Sequence, residues 1–254
     1  MRPARPQPPG RPGAVGGAPA GMSPRVTGLV RSVRIEVWSD VVCPWCYIGK
    51  RRLEAALERF PHRNEVEVVW RSFQLDPSIP EGETHRTLPA LAAEFGRPVE
   101  DVRGMMRHVE ETAAGEGLHY DLASGVSGST LLAQELIHLA AERGLQGAVT
   151  ERLLHAHFEQ GRSVFDVDSL AVLAVEVGLD EAEVRAALAD HRYRAAVLDD
   201  IRTAQELGAT GVPFFVVDRR YGAAGAQPVD LLLQVLEQAW ADAARSGQQV
   251  AGRP

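Results

Sequence analysis

This 254-residue chain has two cysteines, three positions apart in Ser39-Asp40-Val41-Val42-Cys43-Pro44-Trp45-Cys46-Tyr47. Two sulfurs at that spacing lie one helical turn apart on the same face and can close a disulfide with each other. A helix that starts at this motif puts Cys43 at its first turn. Unpaired backbone N–H groups and the positive end of the helix dipole favour a thiolate there, and the thiolate is the attacking species in disulfide exchange. Pro44 suits the first helical position, because its missing N–H would be unpaired there in any case. Asp40 is a candidate proton acceptor for exchange, or alternatively a carboxylate that suits a helix N-terminus. Trp45, between the sulfurs, shapes an apolar mouth for client segments.

Two other uses of a cysteine pair fit less well. A closed zinc site needs four ligands, and none of the eight histidines stands at ligand spacing from the pair; His155 and His157, two apart, would diverge on a helix. No metal is therefore expected, and the histidines read as surface or core residues. A structural disulfide across two residues closes a tiny loop and constrains the unfolded chain little. A dithiol redox site, with no cofactor beyond the Cys43-Cys46 pair itself, is the reading that remains.

The elements that must position this pair are legible on either side of it. Val33 to Trp38 alternates like a strand, and Leu53, Ala56, Leu57 and Phe60 then form a helical stripe that Pro61 ends. Val66 to Phe73 is a second strand, apolar enough to be buried on both faces, so the three elements make a right-handed βαβ unit with parallel strands. From about Asp76 to Leu207 the pattern is helical. Leu132, Leu136 and Leu139 form one stripe, and Leu170, Leu173, Ala174 and Val177 form another that Gly178 ends. Asp180 with Glu183 resembles a capping box, Gly125 to Ser129 reads as a turn, and Ser129 or Thr130 is a candidate cap for the helix that follows. Gly211 to Asp218 returns to β structure and starts a hairpin that bends near Asp218 to Arg220. The last helix carries Leu231, Leu232, Val235, Leu236 and Ala239. Taken alone, Pro213 is a proline tolerated where a strand begins. Trp38 and Trp70 read as core, and Arg51 and Arg52 as a solvated helix face.

Composition bounds the partners. A hydrophobic content of 45% suits a globular chain, and no apolar run approaches membrane-spanning length. The first 33 residues hold five arginines and no acid, so the rest stands at −12 against −7 for the whole. A nucleic-acid surface needs a concentrated basic stripe, so neither nucleic acid nor membrane is expected as a partner. Residues 1–33, rich in Pro, Gly, Ala and Arg, read as a disordered extension without the continuous apolar stretch of a secretory signal, and Met22 is an internal alternative start. A cytoplasmic location follows as the default, in keeping with a reducing compartment where such a pair is catalytic.

The segments Asp40-Val41-Val42-Cys43-Pro44-Trp45-Cys46-Tyr47-Ile48-Gly49-Lys50 and Gly211-Val212-Pro213-Phe214-Phe215-Val216, with Gly225-Ala226-Gln227-Pro228, give the chain a specific resemblance. It resembles the thioredoxin superfamily, within it the DsbA-like branch of FrnE-type proteins and 2-hydroxychromene-2-carboxylate isomerases. The resemblance implies an α/β thioredoxin-like fold whose two halves, 34–75 and 208–245, flank an all-helical insertion at 76–207, with 246–254 a flexible C-terminus. It makes Cys43 the nucleophile and Cys46 the resolving thiol, with Cys43 the more exposed. It makes Val212-Pro213 a cis bond facing the pair, and gives Pro44, Trp45 and Val212 a part in binding substrate. The implied activity is thiol-disulfide exchange on protein clients, with a thiol reductant or oxidant to recycle the pair. A glutathione-type small-molecule isomerase or transferase, or a redox-regulated client-binding chaperone, are the alternatives on the same fold. The isomerases typically have serine where Cys43 stands, which favours dithiol exchange here. The family often has an Asn-Thr pair and a nearby histidine where this chain has Ser129-Thr130 and Gln134, which argues against a glutathione-type site.

Overall fold

The computed structural model describes residues 32–251, with side chains to residue 245. Most of the extension read at 1–33 lies outside the described residues. The strand β1 (Val33–Ser39) opens the fold and leads through the cysteine motif into α1 (Pro44–Arg59) and then β2 (Val66–Ser72). β1 and β2 are parallel, with Val33 opposite Val66 and Ser39 opposite Ser72, as the βαβ reading requires. The next segment holds β3 (Thr84–Arg86), α2 (Thr87–Phe95), α3 (Val99–Gly115), β4 (Val126–Gly128), α4 (Leu131–Glu142), α5 (Gln146–Phe158), α6 (Val167–Val175), α7 (Glu181–Ala189) and α8 (Arg194–Glu206). A hairpin of β5 (Phe214–Val217) and β6 (Tyr221–Ala224) follows, and α9 (Val229–Ala251) closes the chain. α9 continues six residues past the expected end at 245.

The four-stranded sheet runs β2-β1-β5-β6, with β5 antiparallel to both β1 and β6. β1 is thus central, and its C-terminal end delivers the cysteines to the sheet rim. The side-chain period of two sorts β1 between two layers. Ile35 joins Phe215 and Val217 against Leu53 of α1 and Leu232 and Leu236 of α9. Trp38 points the other way, beside Val216 and Ala204 of α8, and donates its indole N–H to the Asp200 carbonyl at 2.9 Å. The hairpin bends where expected: Asp218 and Arg219 hold φ of 49° and 54°, the left-handed geometry that tight hairpin turns need.

Buried charge ties the insertion to the sheet. Glu36, 3% exposed, accepts from both Arg71 and Arg219. Burial alone would raise its carboxyl, but the two guanidiniums prevail and hold it below the ordinary range. Asp200 of α8 accepts from the Ser72 amide at 3.0 Å and from Arg71, with His138 Nε2 3.1 Å away. His138 is thus a structural contact between α4, β2 and α8.

Three local readings need correction. Val126 to Gly128, read as a turn, pairs antiparallel with Thr84 to Arg86, so a two-stranded ribbon interrupts the helices of the insertion. Gly128 serves close packing: a Cβ there would lie 2.9 Å from the Phe165 ring and 3.1 Å from the Glu83 carbonyl. Thr130 occupies the cap position of α4, but its hydroxyl makes no capping bond, and neither does that of Ser129. Only half of the proposed capping box forms. Asp180 accepts from the Glu183 amide at 2.8 Å, while the Glu183 carboxylate reaches out to Arg143.

Candidate active site

Cys43 is the cap residue of α1, and Pro44 takes the first helical position, as its missing donor allows. A turn sets this geometry, with the Cys43 amide donating to the Asp40 carbonyl at 3.1 Å and the Cys46 amide to the Cys43 carbonyl at 3.0 Å. Both cysteines are free thiols. The Cys43 thiol donates to the Val212 carbonyl at 3.4 Å, and the Val212-Pro213 bond is cis, as the resemblance implies. Cys43 and the Val212-Pro213 bond, more than 160 residues apart in sequence, therefore meet at this rim.

The expected difference in exposure between the sulfurs is absent, since Cys43 is 3% exposed and Cys46 1%. What separates the two is their surroundings. Cys46 is pushed well up, first by burial and then by Cys43 beside it, so it holds its proton. Cys43 instead faces a backbone carbonyl, with Val42, Pro44 and Trp45 around it lining an open cavity.

Several residues outside the motif hold it in place. Gly49, one turn after Cys46, lets α1 approach Pro213: a Cβ on it would stand 2.8 Å from Pro213 Cγ and 3.3 Å from Phe215 Cζ. The Pro213 carbonyl accepts from the Gly225 amide at 2.7 Å, and Arg52 donates to the Ala226 carbonyl at 2.6 Å and pairs with Glu116. Tyr120 donates to the Pro44 carbonyl at 3.0 Å, and its ring packs with Tyr47 and Phe158. Gln134 of α4, 1% exposed, donates to the carbonyls of Ser39 and Phe73, where β1 and β2 end.

Arg51 and Arg52 are not a solvated face. The insertion folds over this side of α1, and Glu151 of α5 accepts from Tyr47 at 2.7 Å and pairs with Lys50 at 2.6 Å and Arg51 at 2.5 Å. Burial would raise the Glu151 carboxyl, but Arg51 and Lys50 outweigh it and hold the group at about 2. Of the residues the sequence reading missed, Gly49 had a signal, as a glycine inside a helical pattern. Tyr120 and Gln134 had none, because their partners are far away in sequence.

Asp40 is wholly buried, and its Oδ2 accepts from the Leu75 amide at 2.8 Å while Oδ1 has no partner. The Thr130 hydroxyl and the Val42 and Val41 amides are near enough to favour the ionised form, though none aligns as a hydrogen bond to Oδ1. Neither sulfur is hydrogen-bonded to the carboxylate. Burial prevails over these contacts and pushes Asp40 up to about 6 from the ordinary 3.8. A carboxyl whose folded pKa is raised costs nothing below pH 4, where it is protonated in both states; the cost grows between pH 4 and 6 and is complete above. Asp40→Asn should therefore stabilise the protein at pH 7.5 by on the order of 2 kcal/mol. The melting temperature should rise by about 4–8 °C, and the gain should vanish near pH 4. A gain equal at pH 4.5 and 7.5 would show that ionisation is not its source.

Residues 34–237 match the DSBA-like thioredoxin domain, four-fifths of the chain. The chain belongs to the DsbA-like thioredoxin family. It is 47% identical to a probable DsbA oxidoreductase from Streptomyces coelicolor, with a TM-score of 0.79 over 82% of this chain and 90% of that one. It is 31% identical over 201 residues to the uncharacterized protein YwbO of Bacillus subtilis (strain 168), covering 76% of this chain and 92% of that protein. The cytosolic disulfide reductase DsbM of Pseudomonas aeruginosa, whose structure was solved with GSH, shares the fold at 24% identity and a TM-score of 0.57, over 81% of this chain and 98% of that one. The family is one of thiol-disulfide oxidoreductases on a thioredoxin fold with a helical insertion, and no helix among the described residues is long and apolar enough to cross a membrane.

Proposed function

We propose that this protein is a cytoplasmic oxidoreductase that exchanges disulfides of protein clients through Cys43 and Cys46. The observation that carries the proposal is the placement of Cys43 at the cap of α1, its sulfur 3.4 Å from the Val212 carbonyl and Cys46 one turn behind. Cys43 thiolate attacks one sulfur of a client disulfide, forming a mixed disulfide and releasing the other client sulfur as a thiolate. Cys46 then loses its proton, attacks Cys43 and closes the Cys43-Cys46 disulfide, and the first client sulfur leaves. Two electrons pass to the client, whose thiolates take up two protons, and an external thiol reductant restores the pair. With an oxidant as recycling partner the steps run in reverse.

The proton on Cys46 is the obstacle, since burial holds it there. Asp40, raised to about 6, is the carboxylate poised near neutrality to accept it. Val212 offers backbone groups to an extended client segment, while Pro44, Pro213 and Trp45 shape the mouth; Trp45 is 36% exposed. The scarcity of cysteine in the chain supports a reducing compartment.

The test is equilibration of the pure protein with dithiothreitol buffers of defined ratio, followed by mass mapping and by reduction of insulin disulfides. The pair should form one intramolecular disulfide with a measurable potential, and catalytic amounts of protein should speed insulin reduction. Failure to close Cys43-Cys46 at any ratio would overturn the proposal. A second reading, a small-molecule isomerase, has one observation in its favour: the cavity beside Cys43, about 820 Å³, lies in the size range of small-molecule sites.

A further inference from the structure

The cavity beside the dithiol has an unusual balance of charge for a site that handles thiols. It opens between the cysteine motif and the insertion, and its apolar wall is built from Trp45, Leu91, Met105, Met106 and Phe158. Met105 and Phe95 are nearly half exposed at its edge, and methionine adapts to apolar partners of different shape. Its acidic side chains are Asp40, Asp76, Glu94 and Asp121, and among the described residues no Lys or Arg lines it. Two imidazoles, His85 and His157, line it as well; burial pushes His157 down to about 4, which leaves it neutral at pH 7. At the inner end, the wholly buried Asp40 keeps one carboxylate oxygen without a hydrogen-bond partner.

We propose that this cavity selects protein clients whose reactive cysteine is flanked by apolar and basic residues, and turns away acidic thiols such as glutathione. The inference rests on the oxidoreductase reading and names the client class for the same site. An apolar side chain beside the client cysteine fills the methionine-lined wall, and a neighbouring Lys or Arg finds the acidic rim. A segment carrying a carboxylate meets four acids with no Lys or Arg among the described residues to pair with. Placing like charges together costs affinity and slows encounter, whereas opposite charge speeds it. The same field suits the chain as a whole, which carries a net charge of −7.

The test uses the full-length reduced protein and four disulfide-linked peptide dimers. They differ only in the two residues after cysteine: Leu-Lys, Leu-Gln, Leu-Glu and Ser-Lys. Each kcat/KM is divided by the rate of the same peptide with dithiothreitol, which removes differences in intrinsic reactivity. Leu-Lys should exceed Leu-Glu by at least roughly tenfold, with Leu-Gln between and Ser-Lys below Leu-Lys. Glu94→Gln with Asp121→Asn, both on the exposed rim, should shrink the Lys-to-Glu ratio at least threefold. Salt at about 0.5 M should shrink the ratio likewise. Equal rates for Lys and Glu peptides, or a ratio that survives both the variant and the salt, would overturn the inference. Absence of exchange with all four peptides would instead overturn the oxidoreductase reading beneath it.

Discussion

Cys43→Ser should abolish disulfide exchange, lowering turnover by roughly three orders of magnitude or more. Cys46→Ser should instead accumulate clients as stable mixed disulfides on Cys43. Solvent exposure barely separates the two sulfurs, so the asymmetry must come from their surroundings. Cys43 stands at the cap of α1 facing the Val212 backbone, where a client strand can align, and Cys46 lies behind it with its proton held on by burial. Mass spectrometry of each variant after incubation with an oxidised client reads the result directly. Equal trapping by both variants would reverse the assignment. Full turnover of a small aromatic substrate by Cys43→Ser with an added thiol would favour an isomerase. Full protection of unfolding proteins by a double Cys→Ser variant, with no exchange by the wild type, would point to a chaperone.

Gly49→Val should destabilise the protein by about 3 kcal/mol and slow exchange by roughly tenfold to a hundredfold, with both thiols intact. In a helix interior glycine is normally the weaker choice, by about 1 kcal/mol relative to alanine. Here the sign reverses because the first atom added meets the Pro213 ring at 2.8 Å and Phe215 at 3.3 Å. Neither neighbour can give way freely. The Pro213 carbonyl is tied to the Gly225 amide, and Phe215 is 1% exposed within the sheet core. The displacement passes to Val212, whose carbonyl faces Cys43. Gly104→Ala in α3 is the matched control, because its Cβ would meet only the end of Arg107 at 3.7 Å. It should be neutral or stabilising. Urea unfolding and insulin reduction read both effects, and an unchanged Gly49→Val variant would remove Gly49 from the support of the site.

How far the sequence speaks follows from the range of each interaction. Chemistry carried by neighbours is legible: two sulfurs one turn apart, a proline at the first helical position, an apolar stripe ended by Pro61, a hairpin bend at Asp218. These depend on contacts within a few residues, where spacing alone dictates geometry. Resemblance extends that reach to the meeting of Pro213 with the cysteines, since it brings the fold with it. The misreadings share one cause. Arg51 and Arg52 look like a solvated face because the sequence shows only Glu54, a neighbour on the same helix, as a partner, whereas Glu151 and Glu116 arrive from α5 and the end of α3. Gly128 reads as a turn until Phe165 is packed against it.

The sequence by itself determined the spacing of the two cysteines at a helix start, the family, and the succession of βαβ unit, mainly helical segment, hairpin and last helix. Only the tertiary structure decided that both sulfurs are buried, that Asp40 is raised toward neutrality, and that an acid-lined cavity without Lys or Arg among the described residues adjoins the pair. Burial, desolvation and the charge of a cavity are sums over atoms from every part of the chain. No spacing rule along a sequence can supply them.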